Sequence, residues 1–139
     1  KYLKGWTSYM SKIEVNSVES VILFVLYICI QDGKISDEEL NELALEFPLL
    51  EKLYFDIYGE YVHHDFQETV DQVINQLYPI DKFIGKKVSS FEKNIFNKLI
   101  TDPKIQDIAL LESRHAAAVD GFHDFECAKY EYWSKQWSL

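Results

Sequence analysis

Turn-forming residues are scarce in this chain. Five Gly and three Pro serve 139 residues, too few for a fold of many strands joined by tight turns. The two cysteines, Cys29 and Cys127, stand far apart and show no C-x-x-C or other ligand spacing. A disulfide framework and a structural zinc site are therefore not expected, and free thiols in a reducing compartment are. The longest apolar run, residues 21–30, is about half the length that spans a bilayer. No secretory leader is visible, although a start at Lys1 rather than Met leaves room for a trimmed segment. Positive charge is also short: 14 Lys and Arg face 23 Asp and Glu, for a net charge of -9. The expectation is a cytoplasmic chain with no membrane span.

The hydrophobic fraction of 47% and the aromatic fraction of 15% exclude a disordered class. The length suits one domain over 1–139, all-α, built as a compact bundle of about seven short helices. Residues 1–15 carry Tyr2, Leu3, Trp6, Tyr9 and Met10 and are expected to pack on the body. Asn16 or Ser17 caps a helix over 18–30 that is apolar on nearly every side, the mark of a buried helix. Ser36 and Glu39 form an S-x-x-E capping box for a second helix, which Pro48 is expected to break at about Phe47. Pro48 then opens a third, carrying Leu49, Leu50, Leu53, Tyr54, Ile57 and Tyr61 at spacings of three and four. Asp65 caps a fourth that stops before Pro79. Ser89 or Ser90 starts a fifth, Asp102-Pro103 a sixth, and Asp124 a seventh reaching Trp137. In that last helix Tyr130, Trp133 and Trp137 recur at spacings of three and four, as in a closing helix laid on the core.

The acid excess is local. Residues 1–80 hold 5 Lys and Arg against 14 Asp and Glu, and the remainder is balanced. Such a half repels phosphate, so nucleic acid is not expected there, and a cation or a basic protein surface is. Two corners concentrate the chemistry. Asp32-Gly33-Lys34-Ile35-Ser36-Asp37-Glu38-Glu39 follows the apolar helix, and Asp120-Gly121-Phe122-His123-Asp124-Phe125-Glu126 follows Ala116-Ala117-Ala118-Val119. The first matches the second half of an EF-hand loop, D-G-x-I-S-x-x-E. The first half is missing, because Ile28 and Ile30 occupy positions that need oxygen ligands. Each Asp ends a helix, where the dipole disfavours an anion by up to ~1 kcal/mol. Turn amides or a bound cation must offset this, and two corners packed face to face would bring Asp32 and Asp120 together.

An apolar helix ending in D-G-x-I-S-x-x-E, acidic helices after it and a second A-A-x-D-G corner resemble the tellurite-resistance TerB-like family. The resemblance covers residues 18–137 and is carried by the two corners. It implies a pseudo-duplicated all-helical domain linked to bacterial responses to stress, tellurite and phage. It also implies a metal site at the corners, calcium or a similar divalent cation, and no enzymatic activity. The matching positions are Asp32, Ser36 and Glu39, then Asp120, Asp124 and Glu126. Cys127 stands where a strict repeat of the first corner would put Glu.

Other constellations are weaker. Glu60–His63 and Glu112–His115 are Glu-x-x-His pairs of the kind used by di-iron carboxylate bundles, with Glu19 and Glu92 as further ligands. Three prolines chop the chain into helices shorter than such bundles use, so a di-iron oxidase is the alternative rather than the main reading. His63-His64-Asp65 reads as a helix cap with flanking histidines. Cys127 near His123 and Ser113 near His115 lack a nucleophile elbow, and no Gly-rich phosphate loop is present. The expected function is a non-catalytic acidic module that docks a partner protein through residues 37–71 and holds a divalent cation at its corners.

Overall fold

The computed structural model describes residues 13–59 and 64–138. Among these the chain is helical throughout, with no strand. Six α-helices follow one another: α1 (Val18–Cys29), α2 (Asp37–Tyr58), α3 (Phe66–Ile74), α4 (Ser90–Leu99), α5 (Pro103–Ala118) and α6 (Asp124–Trp137). Short 3₁₀ turns at Ile30–Asp32, Asn75–Leu77 and Ile80–Lys82 link them. Most of the expected segment at 1–15 lies outside the described residues, but Ile13 is buried against the core.

The expected break at Pro48 does not occur, so two anticipated helices are one. Glu39, Leu43, Phe47, Leu50 and Glu51 form an unbroken buried stripe along α2. Pro48 lies on the opposite, exposed side, as does Ala44, whose carbonyl loses its intrahelical donor. On a solvent-facing side water can stand in for the missing donor, which lowers the usual cost of roughly 3 kcal/mol for an interior proline.

α1 is the axis of the molecule. From Val21 to Ile30 every residue is buried, and the helix packs on α2, α3, α5 and α6. Phe24 meets the rings of Tyr27, Phe96, Trp133 and Trp137, and Tyr27 meets Phe83 and Phe96. Burying each such side chain contributes about 1.5–3 kcal/mol. The helix is held at its entrance by Asn16, whose φ of 58° is left-handed. Its Oδ1 accepts from the amides of Thr101 (2.8 Å) and Asp102 (3.0 Å), and its carbonyl accepts from the Tyr54 hydroxyl (2.8 Å). One residue thus ties the start of α1 to α2 and to the α4–α5 link. α5 packs on α1, α2 and α6, which sets its C-terminal corner beside the corner that ends α1.

Candidate metal centre

Both corners are built by the same local logic. At the first, Gly33 takes the left-handed conformation (φ 102°), and its N–H donates to the Ile30 carbonyl (2.9 Å). Lys34 N–H donates to Asp32 Oδ1 (3.3 Å). Ser36 Oγ then accepts from Glu39 N–H (3.1 Å), while Glu39 Oε1 accepts from Ser36 N–H (2.9 Å). At the second, Phe122 N–H donates to the Ala117 carbonyl (3.0 Å) and Gly121 N–H to that of Ala118 (3.3 Å). Glu126 Oε1 accepts from His123 N–H (2.8 Å). The glutamate three residues into each helix therefore closes the helix start with one oxygen and has the other to spare.

The cap stands at 36 after Asp32 but at 123 after Asp120, so the second corner is one residue shorter. A fixed spacing pairs Glu39 with Cys127, and that pairing is wrong. Glu126 is the residue equivalent to Glu39, while the Cys127 thiol faces Glu131 (3.8 Å).

The two corners meet. His123 Nε2 lies 3.5 Å from Asp32 Oδ2 and 3.8 Å from Asp120 Oδ1. The ligand atoms of Asp32, Asp120 and His123 lie within 4.8 Å of one another, as do those of Glu39, Asp120 and Glu126. Asp120 belongs to both sets. Glu39 is 1% exposed and Glu126 is fully buried. Glu39 Oε2, Glu126 Oε2 and Asp120 Oδ1 are buried with no hydrogen-bond partner among the described residues. Buried anionic oxygens without donors are costly, and the group responds by binding a proton or a cation.

The electrostatics follow from this geometry. Burial, reinforced by Glu126 and Asp120 and opposed by the Ser36 amide, pushes Glu39 up to about 8. Burial also raises Glu126 to about 7, against the His123 amide and with help from Asp32 and Asp120. Beneath them the Cys29 thiol is pushed well up, first by its own burial and then by Glu39, Glu126 and Asp120. A shallow groove of about 340 Å³, lined in part by Gln31, Asp32, Ile84, His123 and Asp124, opens on the Asp32–His123 side of the corners.

Of the six residues expected from sequence, Asp32, Glu39, Asp120 and Glu126 are gathered here. The Ser36 hydroxyl is engaged locally, accepting from Glu39 N–H at the start of α2. Asp124 is outside both sets, exposed as the first residue of α6. His123 was missed, although the His-x-x-Glu spacing of a helix start was there to be read.

His64 and Asp65 take local roles. Asp65 caps α3 by accepting from Glu68 N–H (2.9 Å), and His64 lies between Glu51 (3.3 Å) and Glu19 (3.5 Å). Glu60 and His63 fall outside the described residues. Glu92 is already committed. Its Oε1 pairs with the ammonium of Lys129 and accepts from the Tyr27 hydroxyl (2.5 Å), while Oε2 accepts from Ser89 Oγ (3.0 Å). Lys129, fully buried, also donates to the Phe83 carbonyl (2.8 Å), and Trp133 Nε1 donates to Tyr27 (3.2 Å). No helix among the described residues is long and apolar enough to cross a membrane. Neither family models nor curated proteins nor solved structures give a match to this chain.

Proposed function

We propose that this chain is a non-catalytic, acidic helical module of TerB-like type that holds a divalent cation between its two corners. One observation carries the reading. Glu39, Asp120 and Glu126 bring ligand oxygens within 4.8 Å of one another, and each has a buried oxygen with no hydrogen-bond partner among the described residues. An all-oxygen set of this kind suits a hard ion such as calcium, with water completing the shell through the groove beside Asp32. Asp32 and His123 stand at the mouth, where they orient Asp120 and add charge. The competing arrangement is a proton shared by Glu39 and Glu126, which needs no ion.

Melting of the chelator-stripped chain with and without calcium separates the two. A bound ion at about one hundred times its Kd stabilises by about 2.7 kcal/mol, a rise on the order of 10 °C, and Glu126→Gln abolishes the rise. An unchanged melting temperature across calcium, magnesium and manganese rejects the ion and leaves the proton.

The same reading includes a protein partner, docked electrostatically on the start of α2. Asp37 and Glu38 are exposed and Glu42 half-exposed, beside Leu45 at 76% exposure. Glu39 and Glu51 are turned inward and contribute nothing to this face. Neutralising Asp37, Glu38 and Glu42 together should abolish capture of a basic protein ligand; undiminished capture would remove the docking claim.

A further inference from the structure

A second carboxylate cluster lies where α2 crosses α5, and it shares no residue with the corners. Glu112 and His115 sit one turn apart on α5, and Glu46 reaches them from α2, with its Oε1 3.1 Å from His115 Nδ1. The ligand atoms of all three lie within 4.8 Å of one another. Glu112 is 1% exposed, and neither of its oxygens has a hydrogen-bond partner among the described residues. No Lys or Arg among the described residues forms an ion pair with Glu46 or Glu112, and Glu42, one turn before Glu46, adds negative charge beside Glu112. A fully buried carboxylate without a donor, facing a second carboxylate and an imidazole, is an arrangement that a helix crossing does not need for packing.

We propose that Glu46, Glu112 and His115 form a mononuclear site for a borderline transition-metal ion of the zinc or cobalt class. The imidazole nitrogen distinguishes it from the all-oxygen Glu39–Asp120–Glu126 set, because nitrogen ligands favour this class over calcium or magnesium. An ion bonded at about 2.1 Å holds its ligands no more than about 4.2 Å apart, so ligand atoms now within 4.8 Å of one another need only a small inward shift to close on it. The His115 side chain is 44% exposed, which leaves the outer positions to water. Binding requires His115 Nδ1 without its proton and Glu112 ionised, so uptake releases protons. Glu39 and Glu46 are seven residues apart on α2, about 10 Å of helical rise. That is too far for the two sites to share a dinuclear centre, whose ions sit about 3.5–4 Å apart.

The test is titration of the chelator-stripped full-length chain with cobalt(II), followed by its visible absorption and then displaced by zinc. One equivalent with a ligand-field band is expected. His115→Ala, an exposed change that leaves the fold alone, should weaken cobalt binding at least about tenfold. Glu112→Gln should do the same with helix content unchanged by circular dichroism. His123→Ala and Glu126→Gln should leave the band in place. The proposal is overturned if no cobalt binds, in which case Glu112 simply keeps a proton. It is equally overturned if the band survives His115→Ala or vanishes with His123→Ala, which would put the ion elsewhere. Neither result bears on calcium at the corners, which is read by melting.

Discussion

Two of the buried clusters of charge in this small bundle are solved in opposite ways. Around Glu92 every valence is met inside the chain. Lys129 supplies the counter-charge, Tyr27 and Ser89 donate, and the Phe83 carbonyl takes another ammonium proton. Glu39, Asp120 and Glu126 each keep a buried oxygen with no hydrogen-bond partner among the described residues. The first cluster is complete as folded and belongs to architecture. The second meets no such set of partners among the described residues, which is why the proposed ion is assigned there.

The most severe way to break the comparison is to make the first cluster resemble the second. Lys129→Met strands Glu92 and should cost about 3–5 kcal/mol in denaturant unfolding. Adding Glu92→Gln should recover much of that loss, since a neutral amide still closes the start of α4 and strands no charge. If Lys129→Met alone is harmless, Glu92 is not ionised and the contrast fails.

A smaller effect sharpens the other side. Glu39 is raised to about 8 and Glu126 to about 7, with Asp32, Asp120 and His123 facing them. Between the ordinary carboxylate value and these values, the folded chain keeps protons that the unfolded chain has released. Stability should therefore fall as pH rises from about 5 to 8, then level off. In chelator the melting temperature should drop on the order of 5 °C across that window. Saturating calcium should flatten the slope, because the ion takes the place of the protons, and Glu126→Gln should flatten it without calcium. A melting temperature that climbs over the same window would show that the pair is not protonated at its lower end.

Much of the architecture was legible because helix ends are local chemistry. Ser17, Ser36, Asp65, Ser89 and Asp102 cap helices where their side chains and neighbours said they should. Gly33 and Gly121 turn the chain by the left-handed route expected of them. Pro48 misled because its cost depends on which side of α2 meets water, and that is decided by packing. Cys127 misled because counting from Asp120 assumes a corner length that the fold does not keep. Lys129 looked like any charged residue in a closing helix. Yet Glu126, Lys129, Trp133 and Trp137 make one stripe at helical spacing, and all four are buried. The meeting of the corners is a long-range fact: it needs α5 laid along α1, which no short window of sequence contains.

Glu39 and Glu126 each serve two masters, one oxygen fastening the first turn of a helix and the other turned toward the interior. Glutamine at either position retains the fastening and surrenders the anion. Exchange of one atom group at residue 39 or 126 therefore divorces the scaffold from the proposed ion site.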